Sequence, residues 1–236
     1  LLSFGGCSKG TDTSSAPRPG ASAWGSHIAG LERRVSALMA KHAIPGLSMA
    51  VVRDAKLVWS RGFGVQDRAS KAPVDSGTIF EAASMSKPVF AYAVMKLCEK
   101  GVLNLDTPLT KYTPERFLKD DPRLDLITAR HILSHTSGFQ NIRSSKSPLK
   151  INFMPGEKWQ YSGEGYAYLQ SVVATLAGHV FQSPCGTYEA DLKVCGTDMD
   201  EYMRANLFAP FGMNSSGYLW KESLSEHLAR PHDEQG

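Results

Sequence analysis

Apolar residues at positions 28, 31, 35, 38 and 39 recur at the spacing of one helix face. They predict an amphipathic helix over 28–41, ended by Pro45 and Gly46. Two short apolar runs, 47–52 and 57–63, flank the tripeptide Asp54-Ala55-Lys56 and predict a β-hairpin closed by a tight turn. Gly62 and Gly64 have part of the spacing of a dinucleotide-binding loop, but the third glycine and the following helix are missing, which excludes that function. A polar loop over 67–78 then leads into the most apolar stretch of the chain. From 89 to 100 the exceptions, Tyr92, Lys96, Glu99 and Lys100, fall on one narrow helical stripe. That pattern predicts a largely buried helix, with Gly101 as its stop. Further on, Thr128 opens a short helix broken at Gly138, and 141–152 is a polar, basic, exposed loop. An apolar helix over 166–177 is stopped by Gly178, and another helix covers 200–207 before the turn Pro210-Phe211-Gly212-Met213. No internal repeat is visible.

Composition narrows the function classes. The 236 residues are 42% hydrophobic and 21% charged, an ordinary globular balance that allows one large domain or two small ones. A net charge of +3 without a basic run gives no reason to expect a nucleic-acid partner. No apolar run approaches the ~20 residues of a membrane span. The opening Leu-Leu-Ser-Phe-Gly-Gly-Cys-Ser looks like the tail of a signal peptide running into a bacterial lipoprotein box, with Cys7 as the lipidated residue. Residues 8–23, rich in Ser, Thr, Pro and Gly, are expected to be a disordered tether. The protein is thus expected to be exported, periplasmic or held at the outer membrane through a lipid on Cys7. In such a compartment Cys185 and Cys195, in a Gly-rich polar stretch, favour a local disulfide, while Cys98 reads as a small core residue.

Candidate chemistry begins at the entrance of the apolar helix. Ser84 and Lys87 are three apart on a helical turn and share a face. A serine hydroxyl is a weak nucleophile until a base removes its proton. Lysine serves as that base only in its neutral form, which burial and the positive end of a helix both favour. Pro88 fits a first helical turn. The plainer alternative is a serine cap followed by a solvated lysine. His131 and His135, four apart, could in principle share a metal ion, but no glutamate follows His131 and no third ligand stands out, so packing or capping roles are expected.

Four segments in order resemble the serine β-lactamase and penicillin-binding-protein superfamily, in the branch holding class C β-lactamases, family VIII esterases and D-aminopeptidases. Ser84-Met85-Ser86-Lys87 is similar to its nucleophile box, and His131-Ile132-Leu133-Ser134-His135-Thr136-Ser137-Gly138-Phe139 to its "LLSHTSG" landmark. The run from Phe153 through Pro155-Gly156 and Trp159 to Tyr161-Ser162 resembles its tyrosine box, and Pro210-Phe211-Gly212-Met213 its "PLGM" turn. The match covers roughly 30–236. The resemblance implies that Ser84 attacks a carbonyl and forms an acyl-enzyme, that Lys87 takes or relays the proton, and that Tyr161 assists the transfer. Two titratable groups beside one hydroxyl can share a proton without burying a full charge. Tyr166 and Tyr168 are expected to be packing residues.

Two departures shape the expectation. Gly163 stands where the tyrosine box has an asparagine that contacts the amide side chain of β-lactams, which suits an esterase or peptidase better; Glu164 is the neighbour that could supply polar contact instead. The third family box, on a later strand, has no credible copy; His135-Thr136-Ser137-Gly138 resembles it only superficially. That strand supplies an oxyanion-hole donor, whose loss costs on the order of 10²–10³ in rate. The chain is therefore expected to be a fragment truncated at its C-terminus.

The resulting expectation is an α/β (α+β) fold of the β-lactamase/transpeptidase type, an antiparallel sheet flanked by helices plus a mostly helical domain. Residues 1–23 form the tether, 24–75 start the sheet domain, and 76–236 form the helical domain carrying Ser84, Lys87 and Tyr161. The expected function is hydrolysis of an ester or amide in a small-molecule or peptide substrate, by an esterase, D-amino-acid peptidase or β-lactamase, without a metal or organic cofactor. The alternative is a non-catalytic penicillin-recognising or cell-wall-binding protein of the same fold.

Overall fold

A computed structural model describes residues 3–4, 21–113, 117–144, 146–178 and 199–232. Cys7, most of the expected tether, and the pair Cys185 and Cys195 lie outside the described residues. The chain divides into two units. One comprises Ser3–Ala82 with Phe211–Ser216 and Trp220–Gly236; the other comprises Ala83–Pro210 with Gly217–Leu219. The break falls at 82/83 rather than near 75. The chain from Trp220 onward joins the hairpin unit, whereas the sequence pattern places it with the helices. Its link is backbone pairing: Ile79 forms a parallel bridge to Leu228, a long-range contact that no local pattern encodes.

The first unit holds a short strand β1 (Ser3–Phe4), the helix α1 (Ala21–Lys41), strands β2 (Gly46–Arg53) and β3 (Lys56–Gly64), and a short strand β4 (Phe80–Glu81). Helix α1 starts seven residues before the expected 28, and β1, inside the expected tether, pairs antiparallel with β4. The hairpin has the expected place but a tighter turn. Asp54 and Ala55 both take positive φ, 51° and 58°, so two residues close the hairpin and Lys56 pairs with Arg53 in the ladder. Mirror-image turns of this kind match the right-handed twist of the strands they join. Glu32 of α1 meets Arg61 of β3 at 2.7 Å.

The second unit carries a 3₁₀ turn (Ala83–Met85) running into α2 (Ser86–Glu99), then α3 (Ala129–Leu133) and α4 (Gly163–Leu176). Helix α2 ends as its sequence requires. Gly101 takes φ 69°, its N–H donates to Cys98, and the Val102 N–H reaches back to Leu97. This is the paired bonding that a left-handed residue after a helix allows. Phe90, Ala93, Val94 and Leu97 lie inside, Tyr92 is exposed as its place on the polar stripe predicts, and Met95 is exposed as well, so the buried face is narrower than expected. Cys98 is a free, half-buried thiol. The core of this unit forms on α4, where Tyr168, Leu169, Val172 and Val173 are fully enclosed with Phe139, Ile132 and Phe208. Each such side chain contributes roughly 1.5–3 kcal/mol by leaving water. The expected helix over 200–207 is present, but it changes to a π-helical turn over Arg204–Phe208. Among the described residues no helix is long and apolar enough to cross a membrane.

Candidate active site

Ser84 lies in the 3₁₀ turn just ahead of α2, and Lys87 is the second residue of the helix. Ala83, immediately before Ser84, has φ 43°, a left-handed conformation that costs a non-glycine residue about 1–3 kcal/mol and recurs at functional positions. Ser86 helps fix it, its hydroxyl donating to the Ala83 carbonyl at 2.5 Å. The result turns Ser84 to the surface, and Lys87 Nζ donates to its Oγ at 3.3 Å.

Tyr161 arrives from the loop before α4. Lys87 Nζ stands 4.9 Å from the centre of its ring and 5.6 Å from that of Tyr166. The three expected site residues are thus together, and Tyr166, expected to be packing alone, forms the second aromatic wall around the lysine. The Tyr161 hydroxyl is buried and closes no hydrogen bond of good geometry among the described residues. Burial pushes its pKa up, but the proximity of Lys87 and Ser84 as hydrogen-bonding groups, and the charge of Lys87, more than offset this, so the phenol sits below its ordinary range. Lys87 and Ser84 both act on the phenol, and neither saturates it.

The loop 138–143 and the start of α4 hold Tyr161 from behind. Ser162 caps α4, accepting from the Gly165 N–H at 2.8 Å while donating to the Gln140 carbonyl at 2.8 Å. The Gly163 N–H donates to Asn141, to its carbonyl at 3.1 Å and to its Oδ1 at 3.0 Å. Glu164, the neighbour that could supply a polar contact, turns into the protein. It is 4% exposed, accepts from the Arg143 N–H at 2.8 Å, and pairs with the Arg143 guanidinium at 3.1 Å. Arg143 therefore lies largely buried, over Phe117, although the basic run around it reads as an exposed loop.

The two histidines part company. His131 completes a reciprocal cap at the start of α3, its Nδ1 accepting from the Thr128 N–H at 3.3 Å. His135 turns the other way, with φ 58°, and lies against Tyr161 with ring centres 4.5 Å apart. Among the described residues no cluster suited to a metal ion occurs. Sequence reasoning missed His135 and Asn141 as neighbours of the tyrosine. The signal available was their place in the second landmark and just after it, but nothing local says which way either side chain turns. A hollow of about 210 Å³ in the hairpin unit, between Phe80, Leu228 and His232 among others, holds none of the expected site residues.

The chain has the β-lactamase/transpeptidase-like fold. A solved penicillin-binding protein homologue from Pyrococcus abyssi superposes with a TM-score of 0.66 at 24% identity, covering 86% of this chain and 47% of that one. A D-alanine carboxypeptidase AmpC from Burkholderia cenocepacia gives 0.68 at 23%, covering 89% and 55%. The model of the Beta-lactamase family matches residues 31–236, and the chain belongs to that family. Among curated relatives, Esterase EstB of Burkholderia gladioli is 29% identical over 221 residues, covering 80% of this chain and 51% of that protein. Protein flp of Staphylococcus aureus (strain N315) is 26% identical over 213 residues, covering 83% and 39%. The chain spans about half the length, or less, of the curated relatives it matches.

Proposed function

We propose that the protein is a serine hydrolase that cleaves an ester or amide through an acyl-Ser84 intermediate, with an ester as the favoured substrate. The observation that carries this reading is the Lys87–Ser84 hydrogen bond of 3.3 Å beside the buried Tyr161 hydroxyl. Ser84 Oγ attacks the carbonyl carbon, and its proton passes into the Lys87–Tyr161 pair. The tetrahedral intermediate collapses, and the leaving alkoxide or amine takes that proton. Water then gives a proton to the same pair and attacks the acyl carbon; the second tetrahedral intermediate breaks its bond to Ser84 Oγ, which leaves with the proton held by the pair, and the acid is released. Positioned proton transfer of this kind is worth about 10²–10⁴ in rate. The similarity to a Burkholderia protein named an esterase, and a glycine at 163, support an ester over a β-lactam. Export, with a lipid on Cys7, is part of the same reading.

The test is intact-mass analysis after incubation with a fluorophosphonate probe, using the protein as expressed from its gene. One adduct mapping to Ser84, and none on Ser84→Ala, is expected. A folded protein that takes no adduct would favour the non-catalytic penicillin-recognising alternative.

A further inference from the structure

His135 has no part in the proton path just described, yet it is the most closely tied neighbour of Tyr161. Its Nδ1 accepts the backbone N–H of Ser162, the next residue, at 3.1 Å. Its own carbonyl accepts the N–H of Gln160, the preceding residue, at 2.8 Å. The imidazole lies over the Tyr161 ring at 4.5 Å, with 31° between the planes. It also meets Tyr166 at 5.3 Å and Trp159 edge-on at 6.1 Å. Both peptide neighbours of the tyrosine, and its ring, are held by one residue.

We propose that His135 is a positioning residue: its neutral imidazole, with Nδ1 accepting from Ser162, holds the Tyr161 phenol beside Lys87, and protonation of that imidazole releases it. This rests on the reading of Ser84, Lys87 and Tyr161 given above. A nitrogen that accepts a hydrogen bond cannot also carry a proton, so the neutral ring bears its proton on Nε2. Protonation at Nδ1 turns two N–H groups toward each other and breaks the bond to Ser162. The titratable groups facing the ring are Lys87 from α2, and Tyr161 and Tyr166 from the segment entering α4. No carboxylate among the described residues bears on it. Burial, and then the charge of Lys87, accordingly keep its pKa below the ordinary 6.5, which leaves the neutral form in place at physiological pH. The left-handed φ of 58° is a backbone cost that this position sustains, as expected where a side chain must point one way.

Two variants separate positioning from plain structural support. In His135→Asn, Oδ1 can accept the Ser162 N–H in place of Nδ1, asparagine tolerates the left-handed backbone, and the side chain does not titrate. His135→Phe keeps a ring but has no acceptor. Fluorophosphonate labelling rates are measured from about pH 5 to about pH 8, with thermal unfolding as a control for folding. His135→Phe is expected to label about 10²-fold more slowly throughout, and His135→Asn to retain most of the rate that phenylalanine loses. The wild-type rate should fall more steeply than that of His135→Asn as the pH drops below 6.5. Equal slowing of both variants, or wild-type and His135→Asn profiles of the same shape, overturns the proposal while leaving the acyl-serine reading standing. A folded wild type that takes no label overturns both. Independently of reaction, ring ¹⁵N signals of Ser84→Ala should show His135 Nδ1 unprotonated at about pH 8; a proton there overturns the positioning role even if labelling is normal.

Discussion

Gly163 and Asn141 are pressed together: a Cβ added to Gly163 would stand 2.6 Å from the Asn141 carbonyl oxygen and 3.2 Å from its Oδ1. The nearer atom is backbone, and it already accepts the N–H groups of Gly163 and Glu164. It cannot withdraw without breaking the clamp behind Tyr161. Installing the asparagine of the wider family, Gly163→Asn, is therefore expected to destabilise the protein by about 1–3 kcal/mol, the usual cost of overpacking. Chemical denaturation would show this directly. A Gly163→Asn protein as stable as the wild type would mean that the loop at 138–143 yields freely, and that glycine is not required here.

Tyr161→Phe should separate activity from stability. The phenol oxygen is buried without a well-formed hydrogen bond, and a polar group in that state costs the folded protein about 1–3 kcal/mol in desolvation. Removing it is expected to leave stability unchanged or slightly raised, while labelling of Ser84 falls by about 10²-fold or more. A phenylalanine variant that labels at the wild-type rate would show that Lys87 alone suffices as base. One that is clearly less stable would mean that the hydroxyl does find a partner in solution.

Much of this arrangement is legible in the chain. The hairpin, the stop of α2 at Gly101, and the helix after Tyr161 all follow from local pattern, because hydrophobic period and glycine placement act within a few residues. Ser84 and Lys87 are also local, since helical geometry alone brings residues three apart together. Tyr161 is different. It lies 74 positions beyond Lys87 in the chain, and only family resemblance brings it to the lysine. What could not be read is of one kind. The inward turn of Arg143, its pairing with Glu164, the direction of His135 and the seat of Asn141 against Gly163 all depend on tertiary contacts between 135–143 and 159–166. A basic loop reads as exposed until a buried carboxylate is known to wait for it.

Glu164 and Arg143 make the strongest stability prediction. Their side chains are 4% and 13% exposed, and the ion pair measures 3.1 Å. The guanidinium Nε faces Oε2, and the Arg143 backbone N–H donates to Oε1 at 2.8 Å. A buried pair adds little over an apolar substitute, but removing one side takes away the opposite charge that offsets the other in a desolvated site, at a cost of about 3–5 kcal/mol. Glu164→Ala is expected to fall in that range in urea unfolding, and Glu164→Gln, which can still accept from the backbone, to lose less. Loss below about 1 kcal/mol in Glu164→Ala would show that Arg143 finds water easily.

His131 sets a pH dependence that the cap at α3 makes testable. Burial lowers its pKa below the ordinary 6.5; the backbone near Leu126 and the charge of Asp106 raise it, and Arg130 lowers it further, without reversing the direction. A histidine whose folded pKa lies below its unfolded one is neutral in both states at high pH and favours neither. As the pH falls through 6.5 the unfolded chain takes up the proton first, so stability declines until the folded value is passed. His135 shifts in the same direction and adds to the decline. His131→Gln keeps an acceptor at the third position of α3, where glutamine completes the same reciprocal cap, and removes the titration. Its stability should resemble that of the wild type at about pH 8 and exceed it at about pH 5.5, with part of the slope remaining because His135 still titrates. Urea midpoints at the two pH values decide the matter. If His131→Gln loses as much on acidification as the wild type, the decline comes from other groups; if it is already weaker at the higher pH, the Nδ1 bond to Thr128 is worth more than a glutamine can replace.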